Sequence, residues 1–260
     1  MSERAAGASQ STQGERAAGA SQSTQGERAT RTEIGLLEGM ATTRAIRRFT
    51  PEPISDEDLA TIMFAATRAP SGSNRQPFRF LVLRDGERAR QAKALLARGF
   101  REGWEQKQAE DGYTGAAGPA DNSPKARMAR SLQQFVDHFE EIPVVVLGCL
   151  ARYRDPHPFE GASVYPACQN LLLAARALGL GGVLTMWHDS VEEDLRRILG
   201  VPDGVVISAT IPLGHPEGGH GPVRRRPVSE LVYDDAWGSP APWAVDPPGT
   251  RFASAGPPSS

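Results

Sequence analysis

The run "IPVVVLGCLA", residues 142–151, constrains the fold of this chain more than any other stretch. It carries no charge and is rich in valine, a β-branched residue that favours a strand. A strand without alternating polar and apolar residues is buried on both faces, so this one belongs inside a sheet. The run is also much shorter than the roughly 20 residues that a helix needs to cross a bilayer. We therefore expect a central strand.

The segments around this run alternate irregularly between helical and strand patterns. Apolar residues recur at helical spacing after Ile34, which predicts a first helix that runs into Arg44. Ser55 is placed to cap a second helix. Further helices are predicted over residues 86–110, 124–140, 162–181 and 190–200, the last with a Ser190/Glu193 capping box. Further strands are predicted over residues 78–85, 182–187 and 205–214. This order without a regular βαβ repeat indicates an α+β fold, a central sheet flanked by helices.

The two ends of the chain differ in composition from the middle. The sequence "ERAAGASQSTQG" occupies residues 3–14 and recurs at 15–26, without aromatic or branched aliphatic residues. Such a segment buries too little apolar surface to offset the entropy of ordering, so residues 1–32 are predicted to be disordered. Residues 239–260, rich in Pro and Gly, are predicted to be an extended tail pinned by Trp237 and Trp243. One domain remains, over residues 33–238, and we expect translation to start upstream of Met40.

Charge and cysteine content exclude several classes of partner. The net charge is −2, which gives no overall field that would attract nucleic acid or anionic lipid. Residues 1–31 lack the apolar stretch of a secretory signal. Cys149 and Cys168 form no CxxC pair and lie in apolar segments, which is typical of reduced thiols in a cytosolic protein. We expect a cytoplasmic protein without a nucleic-acid or membrane partner.

Three polar stretches are candidates for binding a ligand. In "APSGSNRQPFRF", residues 69–80, Pro70 ends a helix and the following residues offer hydroxyl, amide and backbone N–H groups. In "TTRAIRRFTPEPI", residues 42–54, Arg44 and Arg47 share a helix face if the helix continues. In "HGPVRRRPVSEL", residues 220–231, three arginines precede Pro227. Taken singly, the stretches also fit ordinary roles: a connecting turn, a solvated helix end and a solvated charge run.

Taken together, these stretches resemble the nitroreductase family of FMN-dependent oxidoreductases. The similarity covers about residues 33–238 and also rests on "ASVYPACQNLLLAARALGLGGVLT" and on "DDAWG" after the arginines. The motifs occur in the family's order and at its intervals. The resemblance implies a nitroreductase-like α+β fold with a mostly antiparallel sheet, and an obligate homodimer with FMN at the subunit interface.

The resemblance assigns the Pro-Ser-Gly loop, residues 70–76, to the flavin ring, usually that of the neighbouring protomer. Pro70, Ser71 and Gly72 would make the contact. Asn74 and Gln76 would hold the loop or the polar edge of the flavin. Backbone N–H groups of such a loop can donate to the ring without bringing a titrating group near it.

Two arginine stretches and one strand segment complete the implied FMN site. By match, Arg44 would lie near the phosphate and ribityl chain, Arg47 near the pyrimidine end, and Arg225 on the phosphate. A guanidinium binds phosphate bidentately, and a cation near the pyrimidine end stabilises the reduced flavin. Ala45 stands where relatives often have Ser, so only its backbone contacts remain. The segment implied to pass beside the ring comprises Leu184, Thr185 and Met186.

Other motifs are incomplete, and we expect neither a metal nor a catalytic side chain. The glycines near Gly179 follow a helix, and Leu184 replaces the third glycine of a dinucleotide fingerprint. His215 and His220 share a loop without a third ligand, and no GxSxG elbow occurs. The lid, about residues 100–126, is variable in the family. Iodotyrosine deiodinase relatives place a Glu four residues before a lid Tyr, where this chain has Ala109 before Tyr113, so amino-acid capture is not expected.

The function implied by the resemblance is hydride transfer. FMN would accept a hydride at N5 from NADH or NADPH and reduce a nitroaromatic, a quinone or an enone in the same cleft. Three alternatives stay open: a flavin-dependent oxidase of a biosynthetic metabolite, a non-catalytic FMN-binding protein, and an anion-binding module. The physiological substrate and the choice between NADH and NADPH are not fixed by the sequence.

Overall fold

Four antiparallel strands form the sheet, in the order β1-β2-β4-β3, in a computed structural model that describes residues 34–110 and 123–252. The strands are β1 (Phe78–Leu83), β2 (Val144–Ala151), β3 (Gly181–Gly182) and β4 (Val205–Gly214). In the register, Phe78 lies opposite Leu150 and Val144 opposite Leu213. The apolar run at 142–151 is thus a central strand, as its composition predicts.

Alternate residues of β2 are buried against helices on opposite faces of the sheet. Val144 and Val146 pack in a cluster with α2 (Asp56–Ala66) and α5 (Tyr165–Ala177). Val145, Leu147 and Cys149 pack in a second cluster on the other face. That cluster contains residues of α3 (Glu87–Glu110), α4 (Pro124–Asp137) and α6 (Glu192–Leu199). The predicted α+β class, a mostly antiparallel sheet flanked by helices, is confirmed.

The first helix, α1 (Leu36–Thr42), ends earlier than the sequence pattern predicts. Thr43 donates both its backbone N–H and its hydroxyl to the carbonyl of Gly39, and its backbone is then extended. The prediction that the helix reaches Arg44 is therefore wrong. Arg44 and Arg47 lie on an irregular segment after the helix, so they do not share a helix face.

Two further local predictions are wrong near the C-terminal half of the sheet. The Ser190/Glu193 capping box does not form, because Ser190 lies in a 3-10 turn and α6 begins only after Val191, without a side-chain cap. The strand predicted over residues 182–187 is reduced to β3 and an isolated bridge between Thr185 and Thr210. The helix predicted over residues 124–140 is α4, which ends at Asp137 and is followed by a 3-10 turn at Phe139–Glu141.

The C-terminal segment folds back on the domain up to residue 252. Ala241 and Ala244 are buried, and the indole of Trp243 donates to Asp234 at 3.1 Å. Trp237 is 92 % exposed and contacts only Tyr233 among the ring contacts of the described residues. The predicted disorder of residues 1–32 and residues 111–122 of the predicted lid lie outside the described residues. Of the helices described, none has both the length and the apolarity needed to cross a membrane.

Candidate functional site

Arg44 and Arg47 lie on a segment whose backbone is hydrogen-bonded to the rest of the domain. We call residues 43–50 the arginine segment. Ile46 N–H donates to the carbonyl of Gly182 at 3.0 Å, and Thr50 N–H donates to that of His215 at 2.9 Å. The N–H of Glu217 returns a bond to the carbonyl of Arg48 at 3.0 Å. The segment therefore lies along β3 and the loop that follows β4.

Two glycines allow the arginine segment to approach the sheet this closely. A Cβ on Gly181 would lie 2.5 Å from Cγ1 of Ile46, and one on Gly214 would lie 2.9 Å from Cδ1 of Phe49. Ile46 is accordingly buried and Phe49 packs against the core. Because these two apolar side chains point inward, the segment has a fixed orientation, and its arginines line the surface clefts beside it.

Two neighbouring cavities meet at Arg47. The first, which we call the polar cavity, measures about 640 Å³ and is lined by the arginine segment, by one face of α4 and by residues 217–219. The second, the apolar cavity, measures about 350 Å³ and includes Leu132, Phe135, Val183 and Trp187. A site with one cationic end and one apolar end suits an elongated ligand with an anionic group and a flat ring.

The structure brings together two groups of predicted site residues that lie far apart in the sequence. Arg44, Ala45 and Arg47 line the polar cavity. The apolar cavity contains Arg47 and the predicted ring-side residues Leu184, Thr185 and Met186. Of the latter, Met186 is 56 % exposed, and its sulfur accepts a bond from the hydroxyl of Tyr165 at 3.7 Å.

The Pro-Ser-Gly loop has a shape set by its own side chains. The Oγ of Ser71 accepts a bond from the N–H of Gln76 at 2.9 Å, and the Gln76 amide donates to Oδ1 of Asn74 at 3.1 Å. Ser73, Asn74 and Gln76 have φ values of 52°, 51° and 49°, in the left-handed region that non-glycine residues seldom adopt. Strained backbone of this kind is concentrated at ligand-contacting loops.

The loop lies apart from the two cavities. None of the described residues 70–76 lines either of them, and Ser71 is only half-buried while residues 72–76 are exposed. Its outer end is held by Arg75, whose guanidinium stands 4.7 Å from the ring centroid of Tyr153. Pro70, Ser71, Gly72, Asn74 and Gln76 are thus grouped with each other, and are not brought to the arginine segment within one chain.

Arg225 is also not among the described residues that line these cavities. Its guanidinium donates to the carbonyl of Arg224 at 2.9 Å, and its backbone forms an isolated bridge with Phe252. The stretch before it is anchored on α1, because Val223 N–H donates to the carbonyl of Ala41 at 3.1 Å. The phosphate-binding role of Arg225 therefore stays a prediction.

His220 lies within electrostatic range of Arg176 and Arg44, and sequence reasoning missed this arrangement. Nε2 of His220 donates to the carbonyl of Leu180 at 3.0 Å, and Arg176 donates to the hydroxyl of Thr42 at 3.2 Å. The pKa of His220 is lowered, mainly by burial and further by the charges of Arg176 and Arg44. The imidazole is thus held neutral beside two guanidiniums. Its place at the start of "HGPVRRRPVSEL" was the available signal.

Other titratable groups have structural roles. His188 is buried, with Nε2 bonded to the carbonyl of Ile207 at 2.8 Å and Nδ1 3.2 Å from the hydroxyl of Thr210. Cys149 and Cys168 are free, and burial raises the pKa of each thiol to about 11, so neither is a reactive thiolate. Within residues 34–110 and 123–252, no group of three or more His, Cys, Asp or Glu is placed to hold a metal ion.

Comparison with known proteins decides the family. Residues 40–215 match the model of the Nitroreductase family, which is more than half of the chain. The chain belongs to the nitroreductase family. The resemblance seen in the motifs is thereby confirmed, and the fold described above is a nitroreductase fold.

Individual relatives agree with this assignment. An Archaeoglobus fulgidus protein named as an NADH dehydrogenase/NAD(P)H nitroreductase is 29 % identical over 183 residues, 70 % of this chain and 85 % of the relative. A Desulfovibrio desulfuricans nitroreductase solved in complex with FMN is 29 % identical with a TM-score of 0.55, covering 79 % of this chain and 99 % of that one. The NADPH:FMN oxidoreductase of Vibrio harveyi, solved with NAD⁺, shares the fold at 22 % identity and a TM-score of 0.57, over 78 % and 77 % of the chains.

Proposed function

We propose that this member of the nitroreductase family is an FMN-dependent oxidoreductase that moves a hydride from NADH or NADPH to a small organic acceptor. The observation that carries the proposal is the pair of cavities that meet at Arg47, one cationic and one apolar. Two sequence relatives, named as NAD(P)H nitroreductase and NADPH-flavin oxidoreductase, support it.

The residues of the two cavities fit FMN. Arg44 would bind the phosphate and ribityl chain, and Arg47 would stand at the pyrimidine end, where its charge favours the reduced flavin. The ring would lie beside Leu184, Thr185 and Met186. Bound FMN supplies the hydride acceptor and donor. The work of the chain is then to bind and orient the cofactor, to exclude water from the apolar cavity and to set the charge around it.

We also propose a homodimer in which the Pro-Ser-Gly loop of one protomer contacts the flavin of the other. The loop is pre-shaped, yet it lies apart from the two cavities of its own chain. Large apolar side chains of α1 are exposed as well, since Leu36, Leu37 and Met40 are 67 %, 80 % and 52 % exposed. Clustered exposure of this kind is typical of a protein–protein contact.

Light scattering of the purified protein tests the dimer. We expect a dimer mass, and for Leu37→Glu a monomer that binds FMN more weakly. Phe159→Glu is the control, because Phe159 is also exposed but lies on a different segment. A parent protein that is monomeric and still holds FMN tightly would contradict the shared site.

An anaerobic visible spectrum tests the reaction itself. The protein is reconstituted with FMN and then mixed with NADPH or NADH. A flavin absorbance that bleaches, and recovers on adding a nitroaromatic or a quinone, is the expected result. Flavin that never bleaches would support an oxidase of another metabolite or a binding protein. Failure to bind FMN at all would leave an anion-binding module.

We expect the protein to work in the cytoplasm. Its two buried cysteines are free thiols, which suits a reducing compartment.

A further inference from the structure

Arg127 and Arg130 on α4 give the polar cavity a second cationic wall. We propose that this wall recognises an anionic group, a phosphate or a carboxylate, on the ligand that exchanges electrons with the flavin. The inference rests on the proposed function and adds the substrate class to it. The charged group would belong either to the hydride donor, as the 2′-phosphate of NADPH, or to the acceptor, as a carboxylate.

The orientation of α4 is fixed by its packing. Ala126, Ala129 and Leu132 are buried on one side of the helix, together with Phe135. Residues at positions 127, 130, 131 and 134 follow the i, i+3, i+4, i+7 spacing of a single helix face and line the polar cavity. The two arginines therefore stand one turn apart across the cavity from the arginine segment.

The charge of this cavity exceeds what the FMN phosphate requires. The described lining residues include five arginines, Arg44, Arg47, Arg48, Arg127 and Arg130, and one carboxylate, Glu217. Lys107 adds a further cation to the lining of the neighbouring apolar cavity. A phosphate is a dianion, and a cleft lined mainly by one sign of charge concentrates ligands of the opposite sign.

Internal partners of these arginines do not remove this capacity. A guanidinium has five N–H donors, so it can hold a protein acceptor and still present a fork to a ligand. The position of the α4 wall also separates two roles. Arg44 and Arg47 lie on the segment assigned to FMN, whereas Arg127 and Arg130 come from α4, a separate element that lines the same cavity.

The test uses the FMN-loaded full chain and its variants Arg127→Gln, Arg130→Gln and the double variant. Arg88→Gln, an exposed arginine of α3 outside both cavities, is the matched control. Steady-state kcat/KM is measured for NADPH and NADH with methyl 4-nitrobenzoate, and for 4-nitrobenzoate and its methyl ester with NADH. The dissociation constant of FMN is measured for each variant.

We expect kcat/KM to fall at least tenfold in the double variant for one ligand that carries the extra anionic group, NADPH or 4-nitrobenzoate. It should fall less than twofold for the counterpart that lacks this group, NADH or the methyl ester. Loss confined to NADPH identifies the donor phosphate, and loss confined to 4-nitrobenzoate identifies the acceptor carboxylate. Arg127→Lys and Arg130→Lys should retain most of the activity, because they keep the charge. The effect should shrink as salt rises.

Three results would overturn the inference. Equal loss for ligands with and without the extra anionic group would make the arginines structural, and a matching loss of FMN affinity would make them part of the phosphate site. Unchanged kinetics in the double variant would exclude any recognition by this wall. If the parent protein binds no FMN, the proposed function fails first and the inference with it, whereas intact flavin turnover with unaltered anion preference sinks only the inference.

Discussion

The arginine segment and the Pro-Ser-Gly loop are both irregular connections, yet they are held in different ways. The arginine segment is fixed by the rest of the domain: its backbone bonds to Gly182 and His215, and Ile46 is buried against the sheet. The loop is fixed by itself, through Ser71, Asn74 and Gln76, and is largely exposed.

This difference indicates which part of the site a single chain can complete. A segment seated on the core has a defined position in the isolated protomer, so half of the proposed FMN site exists before assembly. The Pro-Ser-Gly loop has a defined conformation, but it lines neither cavity of its own chain. In the proposed dimer, the loop would contact the site of the partner protomer. Changes to the two regions should therefore have separable effects on stability and on flavin binding.

The largest effect is expected when the arginine segment can no longer pack against the sheet. In Gly181→Val, new side-chain atoms would overlap Ile46, because even a Cβ there lies 2.5 Å from Cγ1 of Ile46. Overpacking of this kind lowers the free energy of unfolding by about 1–3 kcal/mol, and displacement of Arg47 should also weaken FMN binding. Urea unfolding and flavin titration measure both effects. Gly86→Val, in open space before α3, should leave FMN binding nearly unchanged and should lower stability only by the loss of a glycine N-cap, about 1 kcal/mol or less.

The next effect isolates charge from packing. Arg47→Gln removes a cation where the two cavities meet, without touching the buried side of the segment. A charge-assisted hydrogen bond contributes about 1.5–3 kcal/mol, so the Kd of FMN should rise by about 10- to 100-fold. The reduction potential of the bound flavin should fall, because its reduced form loses a nearby cation. An unchanged potential would argue against placing Arg47 at the ring, and Arg88→Gln is again the control.

A smaller effect probes the loop. Ser71→Ala removes the acceptor of the Gln76 N–H, and a hydrogen bond of this kind contributes about 1 kcal/mol. Because the loop is exposed, we expect little change in unfolding but a severalfold loss of FMN affinity in the dimer. Ser73→Ala is the matched control, since no hydrogen bond involves the Ser73 side chain among the described contacts. Equal losses in both variants would show that loop shape does not matter.

The smallest expected effect is a pH dependence of stability that comes from His220. His220 has a lowered pKa in the folded chain, so the unfolded chain binds a proton that the folded chain does not. Stability should therefore fall as pH drops below the ordinary value of 6.5, and should level off below the folded pKa. His220→Gln should flatten this slope between about pH 7 and pH 5 in urea unfolding. Arg88→Gln, an exposed substitution on α3, is the control and should leave the slope in place.

The sequence alone determined the class of fold and the family. An uncharged valine-rich run favours a strand inside a sheet covered on both faces, and β2 is such a strand. The helix cap at Ser55 follows from local chemistry and forms as predicted, with its hydroxyl accepting the N–H of Asp58. The family followed from motif order, which needs no coordinates.

Tertiary structure decided how the candidate site is assembled. Helical spacing extended α1 to Arg44, but the pairing of Ile46 with Gly182 holds the following backbone away from a helix. A serine and a glutamate at capping spacing did not cap α6, because Ser190 was taken into the preceding turn. The opposition of Arg127 and Arg130 to the arginine segment depends on how α4 packs, which residue spacing does not encode. Local patterns report the bonds of neighbouring residues, whereas a cavity is made by residues that only the folded core brings together.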